Sequence, residues 1–288
     1  MTERRILVAM ADSHGGSQVG LLNPETELLR EDAEGNMELW QPSPTKTQTY
    51  LWELYRSHID KTIELAAGDD IAVLHCGDLT QGVKYPNLFV SDRLADQFLI
   101  AVDNLAPWLE YENVTAMRLA KGTGSHVFGE GSSEVLVSKI LMERHPDRDI
   151  QPPYHGLLDL GGVTIDYAHH GPGAGIRDWT RGNQVRYYLK SLIATEWKAG
   201  RQPARLVLRG HYHSWVWETI RESLGGQYCQ FDMCLLPSYC GMGDHGHQAT
   251  RSAYLQTHGL VCFEIAYGQL VQTYPFVKTL DLRTKETL

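Results

Sequence analysis

The chain of 288 residues is 42% hydrophobic and 21% charged, an ordinary globular composition with enough apolar content for one large domain or two small ones. Its formal net charge of −9 argues against a general nucleic-acid or membrane binder, while leaving room for a local basic groove. No apolar stretch is long enough to span a bilayer. The five cysteines (Cys76, Cys229, Cys234, Cys240 and Cys262) show no Cys-x-x-Cys spacing, which suits a reduced, intracellular chain with structural thiols.

The first expected strand lies in "ILVAMADSHGG", residues 6–16, and ends in Asp12, His14 and glycine. Side chains alternate along a strand, so Asp12 and His14 would point together off its C-terminal edge, as a carboxylate and an imidazole do toward one metal ion. The apolar run leads straight into these residues, so no secretory leader is expected and a cytoplasmic location is. A polar, acidic excursion from Gly15 to about Thr47 follows, read as a lid or as a solvated insertion. Leu51, Tyr55, Ile59, Ile63 and Ala66 then recur at helical spacing between Gln48 and Ala67, with His58 a packing or surface residue.

"DIAVLHCGDLTQG" is the second strand, ending in Gly77 and Asp78. A helix with Ser91 as N-cap is expected to run to about Leu105 and stop before Pro107. "NVTAMRLAKGTGSH" is a third strand with Thr123, Ser125 and His126 in its glycine-rich end, and Ser132 to Arg144 reads as a helix. "GLLDLGGVTIDYAHHG" is a hairpin around Gly161-Gly162 that ends in His169 and His170. A helix over Arg181 to Trp197 precedes "ARLVLRGHYHSW", a strand ending in His211 and His213, and the remainder is strand-rich. Early alternation of strands and helices makes the class α/β, with further β-structure toward the end.

Five strand ends therefore carry Asp or His next to glycine. In α/β sheets those ends line the ligand crevice, and glycine lets the backbone approach closely. Carboxylate and imidazole without thiolate suit manganese, iron or zinc. The donors outnumber the needs of one ion, and two ions roughly 3.5–4 Å apart form a clamp for displacement at phosphorus.

The order of the motifs "ADSH", "GDLTQG", "KGTGSH", "AHHG" and "GHYH" resembles the calcineurin-like metallophosphoesterase superfamily, and "LLPSYCG" is similar to the family's later strand and turn. The resemblance implies one domain over residues 1–288, with a two-sheet β-sandwich flanked by helices in four layers. It implies two divalent ions, manganese in first place with iron, zinc or nickel as alternatives. Asp12, His14, Asp78 and His213 would hold one ion, and Asp78 would bridge to a second held also by His170 and His211. His170 is chosen over His169 because the family's ligand directly precedes glycine, which leaves His169 facing away. His126 would stand near the leaving group and donate a proton or a hydrogen bond. The family's third motif, Gly-Asn-His followed by an acid, is altered here: Thr123 or Ser125 takes the Asn position, with Thr123 preferred, and Val127 follows His126. Glu130 and Glu134 are candidates for the missing acid, though both read more readily as surface residues.

The reaction implied is phosphoester hydrolysis by a metal-activated water. A phosphodiester of a nucleotide or nucleic acid is preferred as substrate, with a phosphomonoester or a catalytically silent protein-binding scaffold as alternatives. No arginine closely follows His126, which counts against the protein-phosphatase branch. The stretch Arg177 to Arg209 is rich in basic residues and reads as either a nucleic-acid groove or a solvated helix face. Cys240, Asp244, His245 and His247 in "CGMGDHGHQ" fit no strong zinc spacing and read as a loop bordering the main site.

Overall fold

The computed structural model describes residues 4–84, 88–124, 132–175, 178–224, 227–249 and 254–287. The chain is mixed α/β, with a six-stranded, a five-stranded and a two-stranded sheet among the described residues. The first sheet has the order β13-β12-β1-β4-β5-β6, with β1 Arg5–Met10, β4 Asp70–His75, β5 Val114–Leu119, β6 Asp149–Gln151, β12 Leu255–Ala266 and β13 Gln269–Asp281. Strands β1, β4, β5 and β6 are parallel, and β12 and β13 are antiparallel additions at one edge. The second sheet has the order β10-β11-β9-β8-β7, from β7 His155–Leu160, β8 Val163–Ala168, β9 Leu206–Arg209, β10 Val216–Leu224 and β11 Gln227–Leu235. Its middle strands β8, β9 and β11 are also parallel.

Strands covered on both faces read as continuous apolar runs, and β1 and β4 do so. Leu7, Ala9, Leu74 and Phe263 of the first sheet share one apolar cluster with Ile165, Tyr167, Leu208 and Cys234 of the second. Ile6, Val8 and Val73 face the other way, onto Leu51, Tyr55 and Ile59 of helix α1 (Lys46–Ala66) and Val102 and Leu105 of α2 (Leu94–Leu109). Val185, Leu189 and Ile193 of α4 (Asn183–Lys198) cover the far face of the second sheet, against Val207, Phe231 and Met233. No described helix is long and apolar enough to cross a membrane.

Local chemistry explains where these elements begin and end. Helix α1 starts with a capping box: Gln48 N–H donates to Thr45 Oγ1 at 3.2 Å, and Thr45 N–H donates to Gln48 Oε1 at 2.9 Å. Helix α3 (Ser132–Arg144) has the bounds the sequence suggests. The β7–β8 turn at Gly161 and Gly162 has φ of 58° and 85°, the left-handed pair that a two-residue hairpin requires. Helix α2 departs from expectation at both ends. Ser91 lies before the helix, accepting from Arg93 N–H and donating to Asp96 Oδ2, and the N-cap is Arg93. The helix also continues through Pro107 to Leu109. Proline lacks the N–H that would reach Asp103 O, and the Asn23 side-chain amide supplies a donor to that carbonyl instead, at 3.2 Å.

The excursion after His14 is neither featureless nor wholly solvated. It forms a hairpin of β2 (Leu28–Glu31) and β3 (Met37–Trp40). Its stem is anchored, with Leu22 and Leu28 buried against Ile100 of α2.

Candidate metal centre

The parallel strands of both sheets direct their C-terminal ends to one place. Beyond β1 and β4 the two chains stay zipped together by backbone bonds: Cys76 N to Met10 O, Asp12 N to Gly77 O and His14 N to Asp78 O, at 2.7, 3.0 and 3.0 Å. These bonds bring Asp12, His14 and Asp78 side by side, all buried, with donor atoms within 4.8 Å of one another. A second group joins His169, His170 and His211, from the ends of β8 and β9. A third joins His14 and His213 with Cys240, the residue that sequence reasoning set in a bordering loop.

The i, i+2 spacing works differently from a strand edge. Strand β1 stops at Met10 and β9 at Arg209, so Asp12, His14, His211 and His213 all lie beyond regular pairing. Their φ angles are 55°, 45°, 77° and 48°, and that of Asp78 is 57°. These are five of the seven described residues other than glycine in the left-handed region, which is uncommon for side-chain-bearing residues and gathers at functional sites. Tight left-handed turns, not strand alternation, aim the donors inward.

Distances within the centre suit ions. Ligand atoms bonded at about 2.0–2.1 Å in a tetrahedral arrangement stand about 3.3 Å apart. His14 Nε2 lies 3.2 Å from His213 Nε2, and Asp12 Oδ1 lies 3.4 Å from His213 Nε2. Asp78 Oδ2 lies 3.1 Å from His169 Nε2, which is 3.1 Å from His211 Nδ1. Thr123 Oγ1 sits among them, 2.9 Å from His169 Nε2 and 3.2 Å from both His211 Nδ1 and Asp78 Oδ2. Asp12 Oδ2 accepts from His211 N–H, but no hydrogen bond reaches Asp12 Oδ1 although the residue is fully buried. An orphaned carboxylate oxygen facing imidazole nitrogens is the arrangement a cation completes.

The electrostatics agree. Burial pushes the Asp12 carboxyl up, but His213 and then His169 hold it below the usual carboxylate range. Burial alone would lower His169, yet its hydrogen bond and attraction to Asp78 raise it to about 9. His170 and His211 are lowered by burial and then by the nearby His169. His169 is thus held toward its charged form by the carboxylates, and His170 and His211 toward the neutral form that binds metal. Burial pushes the Cys240 thiol up, with Asp12 and Asp78 adding to the effect.

His169 corrects the sequence reading. It does not face away: it is buried, its Nδ1 donates to Cys76 O at 2.7 Å, and that bond turns Nε2 toward Asp78. His170 is exposed and reaches the group from its rim. The signal was present in the hairpin. Val163, Ile165 and Tyr167 are the buried alternates of β8, and His169 continues that series while His170 falls out of step. Glu134 is also not a surface residue; it is fully buried, its carboxyl pushed up to about 7 by burial, with Ser133 Oγ donating to Oε2 at 2.9 Å. Ser125, His126, Val127 and Glu130 lie outside the described residues. His247 is exposed and belongs to none of the three donor groups.

Part of the basic stretch is paired with carboxylates of the same chain. Arg186 pairs with Glu218, Arg201 with Glu196 and Arg205 with Asp232, while Arg181 donates to Ser214 Oγ and Trp215 O. Arg209 is fully buried against Asp166. Arg177 lies outside the described residues. A scan against protein-family models and a search of curated proteins return no match to this chain.

Proposed function

We propose that this chain is a metal-dependent phosphoester hydrolase with a dinuclear centre, of the calcineurin-like metallophosphoesterase kind that its motifs resemble. One observation carries the reading: Asp78 stands between two donor groups, with Asp12 and His14 on one side and His169 Nε2 on the other. A carboxylate placed so can serve two ions at once. The first position would use Asp12, His14, Asp78 and His213; the second would use Asp78, Thr123, His169 and His211, with His170 at its rim. Two sheets that share an apolar cluster, with helices packed on their outer faces, support the four-layer sandwich that the resemblance implies.

Two divalent ions, when bound, supply an acidified water and neutralise charge on the phosphoryl oxygens. The chain's own residues set the geometry. Cys76 O fixes the His169 tautomer, and Thr123 N–H holds Asp78 Oδ1 at 2.6 Å, leaving Oδ2 to face His169. His211 N–H holds Asp12 Oδ2, leaving Oδ1 to face His213. His126 is the candidate proton donor to the leaving group. The internal pairing of Arg186, Arg201, Arg205 and Arg209 weighs against an extended nucleic-acid groove, so a small phosphodiester such as a nucleotide is the preferred substrate, with a phosphomonoester as alternative.

Protein loaded with Mn²⁺ should hydrolyse bis-p-nitrophenyl phosphate or p-nitrophenyl phosphate, and Asp78→Asn should lose at least about a hundredfold in rate, as removal of charge at a shared ligand implies. Wild type inert toward both esters, or unchanged rates in the variant, would reject the reading in favour of a silent scaffold.

A further inference from the structure

The dinuclear reading leaves one buried donor beside the first position unassigned. Cys240 follows β11 in "PSYCG", is only 5% exposed, and holds its Sγ within 4.8 Å of the His14 and His213 donor atoms. Its backbone is pinned from both sides. Gln256 Nε2 and Ser238 Oγ donate to Cys240 O at 2.7 and 3.2 Å, and Gly241 N–H donates to Val19 O at 2.7 Å. An independent pointer comes from Asp12. This fully buried carboxylate has an Oδ1 that accepts no hydrogen bond and lies 3.4 Å from His213 Nε2 and 4.0 Å from His14 Nε2, the two imidazoles whose donor atoms Cys240 Sγ also approaches.

We propose that Cys240 Sγ is a ligand to the ion held by Asp12, His14 and His213. The inference rests on the dinuclear reading and deepens it. One metal position then contains sulfur, while the other, built from Asp78, Thr123, His169 and His211, contains only nitrogen and oxygen. In a tetrahedral zinc site a sulfur bonded at about 2.3 Å and a nitrogen bonded at about 2.0–2.1 Å stand about 3.5 Å apart, so an ion there would hold Cys240 Sγ inside the 4.8 Å that bounds its distance to the His14 and His213 donors. The thiol donates weakly to Gly241 O at 3.4 Å. Coordination breaks the S–H bond, passes the proton to solvent and places the sulfur lone pair on the ion. Thiolate favours zinc over manganese, whereas the position without sulfur accepts manganese, so the chain would select two unlike ions.

The test uses the full chain, stripped with a chelator and titrated anaerobically with Co²⁺ under reducing conditions. Two ions should bind, with a thiolate-to-cobalt charge-transfer band in the near ultraviolet. Cys240→Ser should abolish the band and weaken binding at one position by about tenfold or more, while Cys229→Ser keeps both. X-ray absorption of zinc-loaded wild type gives a reading that needs no variant to fold: sulfur at about 2.3 Å from one of the two ions. Bound metal with neither band nor sulfur scattering, or a band that persists in Cys240→Ser, overturns the Cys240 assignment alone. Wild type that binds neither Co²⁺ nor Zn²⁺ overturns the dinuclear reading itself.

Discussion

His169 Nδ1 lies 2.7 Å from the carbonyl oxygen of Cys76, and this bond turns the other ring nitrogen to within 3.1 Å of Asp78 Oδ2. The neighbouring His170 has no such anchor among its described contacts and is exposed. Substituting the two should therefore separate them. His169→Gln is expected to weaken metal binding by about a hundredfold and His170→Gln by about tenfold or less, on the scale on which orienting contacts tune affinity. Calorimetric titration of each variant with Mn²⁺ checks the order, and equal losses would remove the distinction.

Gly77 makes that anchor sterically specific. Its φ is +90°, and a Cβ there would stand 2.6 Å from His169 Nδ1 and 2.9 Å from Gly122 Cα. Gly200 has a comparable φ of +71° with nothing within 4 Å of an added Cβ. Gly200→Ala should cost about 1–2 kcal/mol from backbone strain alone. Gly77→Ala adds overpacking of about 1–3 kcal/mol to the same strain and should also displace His169, lowering metal affinity. Urea unfolding and metal titration of both variants separate strain from collision.

Behind the centre, Arg209 is fully buried and its Nη2 lies 2.6 Å from Asp166 Oδ1, which also takes a bond from His155 Nε2 at 2.9 Å. Removing only the carboxylate strands a guanidinium in the interior. Asp166→Ala should destabilise by about 3–5 kcal/mol, and the double variant Asp166→Ala with Arg209→Met by less, since no uncompensated charge remains. Denaturant midpoints of the two proteins decide this; a double variant weaker than Asp166→Ala would contradict it.

Two buried histidines that belong to none of the donor groups make stability depend on acid. Burial lowers both His58 and His258 from 6.5 to about 4. Between those values the unfolded chain binds protons that the folded one refuses, so stability is full above about pH 6.5 and falls as pH drops toward 4. His58→Asn loses the 2.8 Å contact with Tyr239 Oη and should be less stable at neutral pH, yet show a shallower decline in this window. Urea midpoints measured from pH 7 to pH 4 test the slope.

Helix α1 and the β7–β8 hairpin were legible from sequence because their signals are local: apolar periodicity for one, a Gly-Gly pair for the other. The ends of α2 were not, because the partner that satisfies Asp103 O after Pro107 is Asn23, 80 residues away. The paired state of Arg186, Arg201 and Arg205 was likewise beyond any local reading of the basic stretch in two of three cases, their carboxylates lying on other strands. Arg201 alone could be matched nearby, with Glu196 five residues before it.

The sequence by itself marked Asp12, His14, Asp78, His211 and His213 as candidate donors, since acids and imidazoles set beside glycine after apolar runs mark strand ends whatever the sheets do next, but it turned His169 away from them. It also marked Thr123 as the hydroxyl at the third strand end. Only the tertiary structure decided which donors share a space. Asp12 meets His213, and Asp78 meets His169, through the pairing of strands distant in the chain, and Cys240 joins His14 because Gly241 bonds to Val19. Local patterns encode local conformation, but convergence depends on sheet register and on left-handed turns, whose strain only the assembled interior can hold.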